Sequence, residues 1–365
     1  MSERLEARAE VVKLARLLSV DETELEFLDG LPSAELRAFR EQATNRLFDA
    51  GAQMLGRVGS AARLLPSALI ATIAQRSFGP LLCARAAGTV DTAKSLDVAK
   101  RLPAPFLADV TVFLDPRRVA AIIAEVPAAL VVPVARELGA RGEHVTMGRF
   151  LAYVPDHAIV AAIGALEDET MLRTAFVLEH KDRLDHAVGL LPPDRMPGIL
   201  RCAADAGLWP EALDLLDHLS EERRGPIADL VADQDEEIIA GLVRAVSEQG
   251  IWDGLLPVVR TMSGESRTRL ATLPAFHDPA VMTEIIRAAA EQGLWQDLVP
   301  LIEALPGDVL ETVPRIAAEL EPELLSKVVA DAAAAPQTLP PLVLDAVTHA
   351  AERHGLTHIL EQEAQ

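Results

Sequence analysis

The strongest constraint on the fold is a three-residue phrase that recurs at a fixed interval: Gly207-Leu208-Trp209, Gly250-Ile251-Trp252 and Gly293-Leu294-Trp295. The interval is 43 residues both times, and these are the only tryptophans in the 365-residue chain. A fixed interval of this size marks a structural repeat, in which each unit buries its apolar face on the next.

The positions around the phrase repeat with it. Asp235 heads Ile239, Leu242, Val243 and Val246, and Asp278 heads Met282, Ile285, Ile286 and Ala289. Glu321 heads Leu325, Val328, Val329 and Ala332 in the same register. Earlier and less regular copies follow Asp115-Pro116 (Val119, Ile122, Ile123, Val126), Pro155-Asp156 (Ile159, Ala162, Ile163, Leu166) and Pro192 (Met196, Ile199, Leu200, Ala203). This is the spacing of one helix face. After each tryptophan comes a second apolar set, Ala212 to Leu219, Leu255 to Met262 and Leu298 to Leu305, and then a shorter third. The glycine is expected in the left-handed conformation that ends the first helix. The tryptophan is expected to pack across the turn, where its buried ring N–H needs an acceptor.

The fold class that follows is all-α, a solenoid of armadillo/HEAT-like repeats of about 40–43 residues. Three segments are expected. Residues 1–55 form an N-terminal helical cap, with helices at 3–18 and 22–29 and a third capped by Ser33. Residues 56–114 form irregular helical repeats rich in small residues. Residues 115–365 form the regular array, with units starting near 115, 155, 192, 235, 278 and 321. Composition agrees: half the residues are hydrophobic but only 4% are aromatic, which suits close-packed helices better than a β-sandwich.

Charge separates the chain into regions. Residues 151–365 hold 37 acidic against 15 basic side chains, within a net charge of −21, so this part should repel nucleic acid and anionic membranes. Residues 51–150 invert the balance, with 12 bases against 7 acids, and suit an anionic ligand. Met1 to Arg16 lacks the apolar core of a signal peptide, and no uncharged run is long enough to span a bilayer. Cys83 and Cys202 lie far apart in apolar surroundings, as reduced cysteines do. A cytoplasmic protein is expected, with a protein partner or self-association, no nucleic acid and no membrane insertion.

Residues 96–180 resemble the cytosolic N-terminal domain of MgtE-type magnesium transporters. The likeness lies in Leu96 to Leu102, Pro103, Phe106, Leu107, Val110 and Phe113-Leu114-Asp115-Pro116, followed by Arg117-Arg118-Val119-Ala120-Ala121-Ile122-Ile123. Flagellar motor-switch middle domains share this look. The resemblance covers roughly a quarter of the chain and consists of helix punctuation and apolar spacing. It implies a right-handed superhelix of short helices with a scaffold or sensor role, and it carries no functional residue across. Without a membrane-spanning stretch or a nucleotide-binding CBS module, transport itself is not expected.

The sequence holds no P-loop, no GxGxxG, no GxSxG and no HExxH, so a non-catalytic protein is expected. A catalytic set assembled in space from dispersed residues stays open. Candidate ligand contacts are Arg117, Arg118, Arg149, Phe150 and Tyr153, a polar-aromatic group in the basic middle. Asp182 and His186, at i and i+4 if helical, are the candidate metal pair, with Glu179 one turn earlier; a solvated helix face explains the same run. The acidic runs 233–237 and 319–323 suit helix N-termini, or a weak divalent-cation sensor. The expected function is a scaffold or adaptor with an acidic C-terminal surface. The alternative is a binder of a small hydrophobic or anionic ligand in residues 51–155, whose cofactor, if any, the sequence does not identify.

Overall fold

The computed structural model describes residues 3–28, 30–49, 64–318, 322–334, 348–349 and 351–352. Among the described residues every regular element is helical. The expected boundary near residue 55 and the opening of the sixth unit at Glu321 lie outside the described residues. The chain divides into two compact units, Glu3–Arg195 and Met196 onward.

In the N-terminal unit, α1 (Glu3–Leu18) and α2 (Ser33–Asp49) form a hairpin around a 3-10 turn, Glu22–Leu28. Ala7, Val11, Leu14, Ala15, Leu25 and Leu36 make its core. Ser33 is not a cap acceptor. The amides of Glu35 and Leu36 donate to the Pro32 carbonyl, which occupies that position. Ser33 instead donates its amide to Glu3 and its hydroxyl to Glu6, tying α2 to α1.

Short helices follow: α3 (Ser67–Ile73), α4 (Gly79–Ala87), α5 (Thr92–Ala99), α6 (Ala104–Phe113), α7 (Ala120–Ala124), α8 (Ala128–Ala140), α9 (His144–Phe150), α10 (Asp156–Ile163), α11 (Asp168–Phe176) and α12 (Leu184–Gly189). Alternate helices stack: α4 packs on α6, α6 on α8, and α8 on α10. Helix α1 packs against α9, so the opening hairpin reaches a segment more than a hundred residues later. Helix α7 starts later than Asp115-Pro116 suggests, with Val119 as its N-cap. The Asp115 carboxylate accepts from both the amide and the guanidinium of Arg117, and this holds residues 115–118 in a turn.

The C-terminal unit carries the repeat. Its first helices are α13 (Met196–Asp205), α16 (Glu236–Gln249), α19 (Pro279–Gln292) and α23 (Pro322–Ala334). Its second helices are α14 (Trp209–Leu216), α17 (Trp252–Thr261) and α20 (Trp295–Ile302). Third come α15 (Glu221–Ala232), α18 (Gly264–Ala271), and the short pieces α21 (Gly307–Leu310) and α22 (Val313–Ala318). Each packs on its counterpart one period later: α13 on α16, α16 on α19, α14 on α17, and α17 on α20.

The faces buried are those the spacing selects. Ile239, Leu242, Val243 and Val246 are buried on α16, and Met282, Ile285, Ile286 and Ala289 on α19. Full burial of each large aliphatic side chain contributes roughly 1.5–3 kcal/mol. Gly250 (φ 63°) and Gly293 (φ 69°) end these helices in the left-handed region, where a Cβ would be strained. Asp278 caps α19 by accepting from the Ala280 amide at 2.8 Å.

Candidate functional site

The N-terminal unit buries charge, and the packing of α1 on α9 brings that charge together. Glu10 lies one helical turn from Ala7 and Leu14, both core residues, so its side chain is carried inward. It is 1% exposed. Its carboxylate accepts from Lys13 Nζ (2.9 Å), Arg40 Nε (2.9 Å) and Arg37 Nε (3.2 Å). Arg40 then bridges to Glu179 Oε1 at 2.7 Å. Lys13 donates to the Leu178 carbonyl at 3.4 Å and approaches Glu179 Oε2 only to 3.8 Å, which leaves that oxygen without a hydrogen bond.

The electrostatics of this network are a contest between burial and pairing. Burial pushes the Glu10 carboxyl up, but Lys13, Arg40 and Arg37 together hold it below the usual carboxylate range. Glu179 behaves likewise: burial raises it, and Lys13 and Arg40 bring it lower. Burial pulls the Lys13 ammonium down further than Glu10 and Glu179 restore it. Arg40 ends higher, since its two carboxylates outweigh burial. The network therefore stays ionised on its carboxylate side, with Lys13 the strained member.

A second group adjoins the first through Glu179. Asp115, 2% exposed, takes Arg117 in a two-pronged pair, Nε to Oδ1 at 3.0 Å and Nη2 to Oδ2 at 2.9 Å. Arg117 also donates to Asn45 Oδ1 at 3.1 Å, and Arg118 Nε lies 3.6 Å from Asp115 Oδ2. Arg149, at the end of α9, donates Nη2 to the Leu114 carbonyl at 3.1 Å. Burial pulls its guanidinium below the ordinary arginine value, while Asp115 and Glu179 pull it back and Arg40 and Arg117 oppose them. Tyr153, one turn further on, meets the His180 ring edge-on with centroids 5.9 Å apart.

Of the five candidate ligand contacts, Arg117 and Arg118 thus meet Asp115, Arg149 holds the Leu114 carbonyl, and Tyr153 meets His180. Phe150 contributes its carbonyl, which accepts from the Tyr153 and Val154 amides. The Glu179 amide meets the Gly148 carbonyl at 3.5 Å, where the two backbones lie so close that a Cβ on Gly148 would stand 2.9 Å from the Val177 carbonyl. Glu10, Lys13 and Arg40 are the members that sequence reading missed. The available signal was Glu10 sharing a helix face with Ala7 and Leu14, a position where a solvated charge has no place.

Asp182 and His186 each have another partner. Asp182 sits in a 3-10 turn, Lys181–Arg183, 4.0 Å from His180 Nδ1, and His186 Nε2 pairs with Asp156 Oδ1 at 2.9 Å. The 3-10 turn runs directly into α12 at Leu184, so Asp182 and His186 lie in elements of different helical pitch and not on one α-helical face. Among the described residues no three His, Cys, Asp or Glu side chains converge as a metal site would require. In the run 233–237, Asp235 is the N-cap of α16 and Glu236 and Glu237 lie in its first turn, as the helix dipole favours. Glu319 to Glu321 lie outside the described residues. No described helix is long and apolar enough to cross a membrane. No family model, curated protein or solved structure matches the chain.

Proposed function

We propose that the chain is a non-catalytic helical-repeat scaffold. Armadillo/HEAT-like units of 40–43 residues stack in it as a right-handed superhelical solenoid, and its acidic C-terminal surface receives a basic segment of a partner protein in the cytoplasm. One observation carries the reading: α16 packs on α19 and α17 on α20, each helix on the copy of itself 43 residues later. Units related by such a step present the same surface positions again and again, which suits recognition of an extended partner. The likeness to the MgtE-type N-terminal domain points the same way.

A repeated charge feature favours a basic partner. Asp205, Glu248 and Glu291 are exposed, 43 residues apart, in the last turns of α13, α16 and α19. A carboxylate there opposes the helix dipole, by roughly 0.3–1 kcal/mol each. Each has an arginine one turn earlier, Arg201, Arg244 and Arg287, in the less favourable order for such a pair. An exposed carboxylate repeated at a position that the helix dipole disfavours suits an external cation.

The test is affinity capture with the full chain and with the triple variant Asp205→Asn, Glu248→Gln, Glu291→Gln. Neutralising these groups leaves the helices at least as stable, so lost binding would not reflect unfolding. A partner retained by the wild type, released by 0.5 M salt, where the Debye length falls to about 4 Å, and lost with the variant is expected. Equal recovery with both proteins would sink the acidic-surface reading.

A further inference from the structure

The N-terminal unit exposes apolar side chains in a way the C-terminal unit does not. Among the described residues, every large apolar side chain that stands open to water lies between Leu18 and Val160. One such group has a shape imposed by the backbone. Helix α3 runs into a π-helical turn, Ala74–Phe78, and Gly79 then takes φ 72° and ψ 171°, a conformation that glycine alone adopts readily. The Gly79 amide donates to the Ala74 carbonyl, and the Cys83 thiol reaches the same oxygen at 3.7 Å, so α4 turns back against the π turn. Ala74 and Ala84 are buried on the inside of this bend. Arg76, Phe78 and Leu81 are on its outside, with Phe78 40% and Leu81 47% exposed. A Cβ on Gly79 between them would meet no atom within 4 Å. All three side chains fall within a few consecutive residues, so the chain itself holds them together.

Charge around the bend narrows the choice of occupant. Residues 50–90 contain no aspartate or glutamate, and their only charged residues are four arginines, Arg76 among them, in a chain of net charge −21. The helices that pack on α3 and α4 do bring carboxylates. On α5, Asp91 caps the helix and Asp97 pairs with Arg101 at 3.0 Å, and on α6 Asp109 pairs with Arg141. These carboxylates are committed, so the bend presents an apolar and cationic surface. An exposed phenylalanine and leucine beside a guanidinium match a boundary that is apolar within and anionic at its edge, as a bilayer with acidic headgroups is. A second copy of the chain fits less well. Its C-terminal unit has carboxylates but no exposed large apolar side chain among the described residues, and bend against bend would set Arg76 on Arg76.

We propose that the bend at Arg76, Phe78 and Leu81 seats the N-terminal unit on an anionic lipid surface without crossing it. Phe78 and Leu81 enter the boundary between headgroups and acyl chains, and Arg76 pairs with headgroup phosphates. The acidic excess of residues 151–365 is repelled by the same surface, so contact is made through the acid-free stretch. Binding through one short apolar wedge and one cation is weak and reversible. The contact is independent of the acidic surface assigned to partner binding, so either can fail without the other.

The experiment is co-sedimentation of the full chain at low salt with sucrose-loaded vesicles. One set is phosphatidylcholine alone, and the other is phosphatidylcholine and phosphatidylglycerol in equal parts. Polyglutamate-coated beads, and light scattering without vesicles, are run in parallel. The wild type is expected to bind the mixed vesicles roughly tenfold better than phosphatidylcholine alone. Phe78→Ser with Leu81→Ser should weaken that binding roughly tenfold, and Arg76→Gln a few-fold. These side chains face water, so circular dichroism should show the helices intact; if the double variant fails this control, Phe78→Ser alone takes its place. No binding to the mixed vesicles would overturn the proposal. So would equal binding to both kinds, or folded variants that bind as tightly as the wild type. Retention on the beads without vesicle binding would assign an acidic polypeptide instead. Dimers in light scattering that the double variant abolishes would assign a second copy in place of lipid.

Discussion

The indole N–H of Trp252 donates to Glu284 Oε2 at 3.1 Å, and the other two repeat tryptophans have no such acceptor. The position 32 residues after Trp209 is Gly241, and 32 after Trp295 it is Lys327, a donor only. A Cβ built on Gly241 would stand 3.9 Å from Trp209 Nε1, in ordinary contact and pointing at the orphaned group. The repeat therefore reproduces the buried ring three times and its acceptor once.

This relationship predicts a stabilising substitution. Gly241→Ala should raise stability by about 0.5–1 kcal/mol through helix propensity alone. Gly241→Glu should add to that by supplying the acceptor, while Glu284→Ala should cost about 1–3 kcal/mol by stranding the Trp252 N–H. Urea unfolding followed by tryptophan fluorescence reports these changes directly, since all three tryptophans lie in the C-terminal unit. A Gly241→Glu variant no more stable than Gly241→Ala would refute the acceptor assignment.

Two other helical glycines should respond in the opposite direction. A Cβ on Gly225 would stand 2.7 Å from the Thr261 carbonyl, and one on Gly148 2.9 Å from that of Val177, both backbone atoms. Alanine at either site must push two helical segments apart, at a cost of about 1–3 kcal/mol. Thermal melts of Gly148→Ala and Gly225→Ala, compared with Gly241→Ala, check the contrast in sign.

The left-handed caps make a separate prediction. Gly250, at φ 63°, meets no atom within 4 Å of a built Cβ, so its constraint is conformational rather than steric crowding. Gly250→Ala should cost about 1–2 kcal/mol, and Gly250→Val more, because β-branching disfavours this region further. Gly250→Asn should cost less than either. Equal stabilities across the series would remove the capping assignment.

Acid should weaken the N-terminal unit. The carboxyls of Glu10, Glu179 and Asp115 are held below their ordinary range in the folded chain. The unfolded chain, with carboxyl pKa values of about 4, therefore takes up protons first as pH falls. Their stabilisation is complete above that range and is lost as pH drops through the lower folded values. Far-UV circular dichroism should show helix loss below about pH 4 that tryptophan fluorescence, confined to the other unit, does not follow. Glu10→Gln should flatten this acid dependence. It should also cost about 3–5 kcal/mol at neutral pH, because Lys13, Arg37 and Arg40 would face a buried neutral group.

Much of the helical scaffold was legible in the residues. The 43-residue interval located the first helices, their buried positions and the glycines that end them, because helix faces and turn conformations depend on neighbours three or four residues apart. Local reading failed where a side chain had a choice of distant partners. Ser33 looked like a cap, yet its hydroxyl goes to Glu6, and His186 looked like a partner for Asp182, yet it pairs with Asp156. Arg117, Arg149 and Tyr153 were visible as a polar-aromatic group, but not the buried ions beside them.

Sequence alone determined that the chain is helical, that it repeats, and which face of each regular helix turns inward. The tertiary structure decided which charges meet: Arg40 finds Glu10 thirty residues back and Glu179 more than a hundred residues on. The apolar pattern encodes the first through contacts within a turn of helix. The second depends on which helices come to lie side by side: the face that Glu10 shares with Ala7 and Leu14 marks it as inward, but nothing local names the arginines it meets there.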